Sequence, residues 1–330
     1  MRCAVLGAGA WGAALADRLA RNTHEVRIWA YEPDVADSIN SSHVNRFLAD
    51  VTLTSSIVAS TNMKQVVSGA DFVVLVAPSH VTRAVAEAAQ PNVSRDAMIV
   101  VASKGIEQHS LARMSEIADD VFGRRGPVAL SGPTFAAEVA RGQPTAIVAA
   151  CAERAHAELV QQLFHGPSFR VYTQGDVIGV ELGGAVKNVM ALATGIAEGL
   201  DLGFNARAAL ITRGLAEMTR LGVALGADPA TFAGLAGVGD LVLTCTGQLS
   251  RNRALGVAIG RGRTLDEALA GRETVAEGVI TTRSAKALAE RVGVTMPIVD
   301  AAFSVLFDGQ TPRDAIVELM NRDPRPERDE

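Results

Sequence analysis

Three glycines at fixed spacing near the amino terminus constrain this chain more than any other feature. Arg2-Cys3-Ala4-Val5-Leu6 is a short apolar run leading into Gly7-Ala8-Gly9-Ala10-Trp11-Gly12, after which Ala13, Ala14, Leu15, Ala16, Leu19 and Ala20 carry a helical pattern. The order is strand, tight turn, helix. The first glycine permits the turn, the second lets backbone approach a pyrophosphate, and the third allows close helix-to-strand packing, with phosphate at the helix N-terminus. The loop residues Gly7, Gly9, Ala10 and Gly12 are therefore candidate dinucleotide contacts. A second strand, Glu25-Val26-Arg27-Ile28-Trp29, follows, and Glu32 lies about 20 residues past the last glycine, where an acidic side chain accepts hydrogen bonds from the ribose hydroxyls of NAD. Ala30-Tyr31-Glu32-Pro33-Asp34 brings no arginine to neutralise a 2′-phosphate, and two carboxylates to repel one. This favours NADH over NADPH, unless Arg27 or Arg46 swings in.

Further strands are expected at Ile57-Val58-Ala59, 72–76, 98–101 and 128–130, separated by helical patterns at 81–89 and 111–118. Continuous β-branched runs suit a parallel sheet covered on both faces. Two more strands, 145–149 and 169–173, bracket a helix at 152–163. From there the pattern is helical, at 180–198, 206–225, 252–259, 265–270, 275–291 and 298–307. A chain of 330 residues, 48% hydrophobic, is long enough for two cores. The expected architecture is α/β: a doubly wound Rossmann-like sheet domain over 1–178, an all-α substrate domain over 179–321, and a charged, proline-bearing, disordered tail over 322–330.

The formal net charge of −5 offers no basic field for nucleic acid, and no run of lysine and arginine suggests an anionic membrane surface. No stretch reaches the roughly 18 uninterrupted apolar residues of a membrane span. Glycines at 7, 9 and 12, followed by Asp17 and Arg18, argue against a secretory signal. Cys3, Cys151 and Cys245 are far apart and odd in number, as reduced packing thiols are. The scattered histidines lack zinc spacing, so no metal is expected. A small substrate and a cytoplasmic location are the expectation.

The loops after the strands, at the carboxyl edge of the sheet, are where ligands bind in such folds. They carry Ala77-Pro78-Ser79-His80, Ser103-Lys104-Gly105 and Ser131-Gly132-Pro133-Thr134-Phe135, which places Lys104 beside the cofactor and Gly132 and Thr134 on the same rim. In the second half, Glu181-Leu182-Gly183-Gly184-Ala185-Val186-Lys187-Asn188 sets a lone cation among small apolar residues. The chain has 27 arginines and only four lysines (Lys64, Lys104, Lys187, Lys286), and a lysine can release its proton where an arginine cannot. Asp240, in Gly237-Val238-Gly239-Asp240-Leu241, needs a cationic partner if buried, with Lys187 the obvious candidate. Ser250 reads as an N-cap followed by Arg251, Asn252 and Arg253: a helix N-terminus with a guanidinium fork suits phosphate.

With these motifs assembled, the chain resembles the NAD(P)-dependent glycerol-3-phosphate dehydrogenases of the bacterial type over nearly its whole length, through Glu273-Thr274-Val275-Ala276-Glu277-Gly278. The resemblance implies reversible reduction of dihydroxyacetone phosphate to sn-glycerol 3-phosphate, feeding phospholipid synthesis. It implies Lys187 as proton donor and acceptor, with Lys104 and Asp240 in the catalytic group. It implies Lys104, Gly132, Thr134, Lys187, Asn188, Asp240, Ser250, Arg251 and Asn252 around the substrate, and Trp11, Lys104, Ala136, Arg251, Val275 and Glu277 on the cofactor, beside Tyr31 and Glu32. NAD is the expected cofactor, with NADP admitted, and a homodimer is suggested. Two departures stand out. Many bacterial members carry basic residues where Tyr31-Glu32 stands, and the family's Tyr-Leu-Pro-Gly segment is here Phe47-Leu48-Ala49-Asp50. Within enzymes the rival is a β-hydroxyacid or 6-phosphogluconate-type dehydrogenase; outside them, a redox-sensing NAD-binding protein.

Overall fold

In the computed structural model, which describes residues 1–123, 126–271, 276–324 and 326–327, eight strands form one sheet in the order β3-β2-β1-β4-β5-β6-β7-β8. They are β1 (Arg2–Leu6), β2 (Glu25–Trp29), β3 (Val58–Ser60), β4 (Phe72–Leu75), β5 (Met98–Val101), β6 (Val128–Ser131), β7 (Thr145–Ala150) and β8 (Phe169–Gln174). Every strand expected from the apolar runs is present, with ends within one residue. The reason is visible in the packing. Alternate residues of β1 feed different cores, Cys3 and Val5 on one face of the sheet and Ala4 and Leu6 on the other, so both faces must be apolar. Neighbouring strands from β3 through β6 are parallel. The order reverses beside β1, which opens a crevice at the carboxyl ends of β1 and β4.

Two details differ from the sequence expectation. β6 and β7 pair antiparallel, because the chain between them makes only the short helix Ala136–Ala140 and doubles back instead of crossing over. The helix expected from residue 111 begins at Met114 and runs to Phe122. Glu107 N–H bonds to the Ala112 carbonyl at 2.9 Å and Leu111 sits at φ 59°, so this stretch folds back before the Glu116 carboxylate accepts the Arg113 N–H at 2.7 Å and starts the helix.

The second half is helical. At its centre runs Val177–Gly199, started by Asp176, whose side chain accepts the Gly179 N–H. This core helix is buried on nearly every side, as a helix apolar all round must be. By length and composition it and Pro229–Thr246 could each cross a membrane; 83% of the core helix's most apolar window is buried within the fold, against 44% for the other. The helix Arg251–Gly260 crosses the core helix at glycine contacts on both sides. A Cβ at Gly195 would lie 2.2 Å from the Arg253 carbonyl oxygen, and one at Gly256 would lie 2.1 Å from that of Leu192. Helices Gly203–Ala224, Glu277–Val292 and Pro297–Phe307 complete the layer around it. The described part of the 322–330 segment includes Glu327, whose carbonyl accepts from Arg213 at 2.9 Å.

Candidate active site

Lys187 projects from the core helix into the junction between sheet and helices, where only 7% of it is exposed. Its ammonium donates to Asp240 Oδ1. Asp240 is fully buried at the first position of the helix Asp240–Thr246, delivered there by an irregular turn in which Gly237 adopts φ −95°, ψ −106°. The Thr244 hydroxyl donates to the Asp240 carbonyl at 2.6 Å and steadies that turn. Sequence reasoning paired Asp240 with Lys187 alone. Asp240 in fact serves two cations, since Lys104 Nζ donates to Oδ2 at 2.8 Å and also to the Gly132 carbonyl at 3.1 Å. The same carbonyl accepts from the Thr134 hydroxyl at 3.1 Å.

The glycine pair before Lys187 makes this meeting possible. A Cβ at Gly184 would sit 2.5 Å from Ser131 Oγ and 3.5 Å from Lys104 Cδ, so a larger residue would push the loops after β5 and β6 off the core helix. The electrostatic consequence falls on Lys187. Burial, helped by the neighbouring Lys104, outweighs the Asp240 carboxylate and lowers its pKa from 10.5 to about 7. The sequence left these opposing effects undecided.

A second group lies along the same helix. Asn252 Nδ2 donates to Asn188 Oδ1 at 3.0 Å, and Asn252 Oδ1 accepts the Gly278 N–H at 3.0 Å. Ser250 is the N-cap expected of it, accepting the Arg253 N–H at 3.2 Å. Arg251 is exposed at the helix start and close enough to Glu277 to favour its charged form, although burial raises the Glu277 pKa. The two arginines after Ser250 do not act together. Arg253 is turned to Glu198, donating at 2.8 and 2.5 Å, and Arg207 donates to the same carboxylate at 2.7 Å. Of the two arginines after Ser250 it is Arg251 that stands exposed at the helix start.

The glycine loop fits a dinucleotide. Gly7 has φ +129°, and a Cβ at Gly12 would lie 1.8 Å from the Gly7 oxygen, so neither position admits a side chain. A Cβ at Gly9 would meet nothing within 4 Å, which leaves open space over the start of the helix Ala10–Arg21, and that start has no side-chain cap. Backbone N–H groups there face the space a pyrophosphate needs. Sequence reasoning missed Asn45, which is fully buried and donates to the Ala8 carbonyl at 2.8 Å, holding the loop; an isolated polar residue gave no periodic signal. At the end of β2, Tyr31 is 78% exposed, and Glu32 precedes the helix Pro33–Ser42 without its carboxylate capping it. Arg46 is ion-paired with Asp34, and Arg27 is held by the Gln65 carbonyl and Glu25. Ala136 opens its short helix beside Thr134. Glu277 is held by Ser79, and Val275 lies outside the described residues. The structure thus unites Lys104, Gly132, Thr134, Lys187 and Asp240 in one network and links Asn188 to Asn252, while Tyr31 and Glu32 stand apart at the β2 end of the crevice.

Comparison with known proteins bears on this geometry. The family model for the NAD-dependent glycerol-3-phosphate dehydrogenase N-terminus matches residues 2–157, and that for the C-terminus matches residues 176–317. The chain is 51% identical to a glycerol-3-phosphate dehydrogenase (NAD(P)+) of Syntrophotalea carbinolica, with 100% of both chains covered, and 51% identical to one of Geobacter metallireducens, with 98% of each covered. Among solved structures it is similar to glycerol-3-phosphate dehydrogenase from Coxiella burnetii, at 39% identity and a TM-score of 0.94, covering 97% of this chain and 99% of that one.

Proposed function

The chain belongs to the NAD-dependent glycerol-3-phosphate dehydrogenase family, and on that premise we propose how its residues carry out the family's reaction. The protein is an NAD(P)-dependent oxidoreductase that interconverts dihydroxyacetone phosphate and sn-glycerol 3-phosphate, a step that supplies glycerophospholipid synthesis. The observation that carries the site assignment is the sharing of one buried carboxylate, Asp240, by Lys187 and Lys104.

In this reading residues 1–178 hold the dinucleotide, with Gly7, Gly9, Ala10, Trp11 and Gly12 at the pyrophosphate and Tyr31 and Glu32 at the adenosine ribose. Ala136, Val275 and Glu277 complete the cofactor rim. The bound cofactor supplies the hydride. Residues 179–321 hold the substrate. Lys187, near neutrality in pKa, gives its proton to the oxygen forming at C2 and takes it back in the reverse direction, a contribution of about 10²–10⁴-fold for a positioned acid. Asp240 aligns both ammonium groups. Lys104 brings positive charge to the same oxygen while Gly132 and Thr134 bound the pocket. Ser250, Arg251 and Asn252 take the phosphate at a helix N-terminus, and Asn188, tied to Asn252, faces the substrate between them. The same reading extends to a cytoplasmic homodimer, which sedimentation of the purified protein tests.

The deciding assay is oxidation of NADH and NADPH, side by side, with dihydroxyacetone phosphate and with three-carbon oxo-acids. Turnover confined to the phosphorylated ketone supports the reading. Oxo-acid turnover points to the β-hydroxyacid alternative, and cofactor binding without consumption points to a redox sensor.

A further inference from the structure

Outside the lysine pair, Ser79 and Glu277 join the two halves of the molecule. Ser79 follows β4 and is buried to 1% exposure. Its N–H donates to Glu277 Oε1 at 3.0 Å and its hydroxyl to Oε2 at 2.6 Å, across 198 residues of sequence. Glu277 opens the helix Glu277–Val292. A carboxylate removed from water needs donors, and Ser79 supplies one to each oxygen.

Ser79 also presses on the residue that follows Lys104. Gly105 has φ +155°, and a Cβ there would lie 2.4 Å from Ser79 Cβ, 2.8 Å from Ser79 Oγ and 3.4 Å from Glu277 Oε2. On the other side of Lys104, the Ser103 hydroxyl donates to the Ala77 carbonyl at 2.7 Å, with Thr82 Oγ1 3.4 Å from Ser103 Oγ. The loops after β4 and β5 are therefore laced together around Lys104, with Ser79 as the wall on the Gly105 side. The hydroxyl is anchored from the helical half, so that wall stands only when the two halves are seated on each other.

We propose that Ser79 is a positioning residue for the reaction: held by Glu277 and packed on Gly105, it fixes the backbone that aims Lys104 at Asp240. The proposal rests on the function assigned above, because it gives that lysine a task in turnover. Among the described residues no hydrogen bond joins Ser79 to Lys187 or Asp240, and its link to Lys104 runs through the Gly105 loop. Removing its hydroxyl takes one of the two Ser79 donors from Glu277 and opens space beside Gly105, and Lys104 gains freedom to leave Asp240.

Four lysines make a clean test, since the exposed Lys64 serves as an internal reference. The full-length protein is acetylated with a small amine-reactive reagent, and the Lys104 to Lys64 modification ratio is read by mass spectrometry. Ser79→Ala is expected to raise that ratio about fivefold and to lower kcat on dihydroxyacetone phosphate about tenfold. In a Lys104→Met background the same substitution should change kcat by less than about twofold. Ser79→Cys, close in volume but a poor donor, should shift both readings in the same direction and stands in if the alanine variant does not fold. An unchanged ratio in a folded variant, or an undiminished kcat loss in the Lys104→Met background, overturns the proposal. Failure of the unmodified enzyme to reduce dihydroxyacetone phosphate overturns the functional reading instead, and the footprinting ratio still decides the role of Ser79.

Discussion

Lys187 and Asp240 meet with both groups withdrawn from water, and the carboxylate that receives the Lys187 ammonium on one oxygen is already engaged by Lys104 on the other. Burial, with Lys104 competing for the one carboxylate that opposes it, leaves Lys187 poised to lose its proton near neutrality. In the proposed mechanism ketone reduction uses protonated Lys187, so its kcat should fall as pH rises through about 7, while oxidation of glycerol 3-phosphate, which would use the free amine, should rise through the same point. Asp240→Asn removes the one influence that favours the charged form and should move the reductive limb to lower pH, with kcat falling at least 10²-fold. Parallel pH profiles of the two directions check this; superimposed profiles would remove Lys187 as the proton carrier.

The same depressed pKa has a stability counterpart. Unfolded Lys187 titrates near 10.5 and folded Lys187 near 7, so between those values the unfolded chain binds the extra proton. Stability attributable to this residue is therefore lowest below pH 7 and rises across that window. Glu217 behaves oppositely. It is buried, accepts the Ile298 and Val299 N–H groups at the start of Pro297–Phe307, and has its pKa pushed up to about 7 by burial. Between pH 4.5 and 7 the folded state holds the proton, and its loss costs stability as pH rises. Glu217→Gln should thus gain stability relative to the unaltered protein from pH 5 to 8, by on the order of 1–3 kcal/mol. Denaturant titrations at the two ends of that range measure the difference.

Arg251 and Arg253 are two residues apart and should report differently. Arg251→Ala is expected to raise KM for dihydroxyacetone phosphate by about 10- to 100-fold, the loss of a charge-assisted phosphate contact, with little change in melting temperature. Arg253→Ala leaves Glu198 with Arg207 and should lower the melting temperature while changing KM less than fivefold, a figure on the order of one weak contact. Steady-state kinetics and calorimetry on both variants decide it; equal KM effects would show that Arg253 also reaches the phosphate.

Cofactor choice should turn on Glu32 and Asp34. Asp34 is ion-paired with Arg46 near the end of β2, so Glu32→Gln with Asp34→Asn removes the carboxylates that repel a 2′-phosphate and one that competes for Arg46. The ratio of kcat/KM for NADPH over NADH is expected to rise about tenfold or more, on the scale of one good charged contact. A ratio that does not move would locate selectivity elsewhere.

Why some of this was legible in the chain and some was not comes down to range. β1, β4 and β5 were readable as apolar runs whose residues face two cores, β2 and β8 as alternation with one buried face, and the Gly7, Gly9 and Gly12 spacing is local geometry. The boundary at Met114 was misplaced because the fold-back at Glu107 and Ala112 leaves the helical spacing of the side chains intact. The helix Asp240–Thr246 was hidden behind three glycines and an irregular turn. The commitment of Arg253 to Glu198 was not legible because that partner is 55 residues away.

By itself the sequence determined the sheet, the dinucleotide turn, the helical second half and the identity of the residues able to do chemistry, since periodicity and side-chain type are properties of neighbours. The tertiary structure alone decided which of them meet. Lys104 reaches Asp240 across 136 residues and Lys187 reaches it across 53. The balance between burial and charge that brings Lys187 near neutrality exists only once the fold has closed and removed water from Lys187 and Asp240.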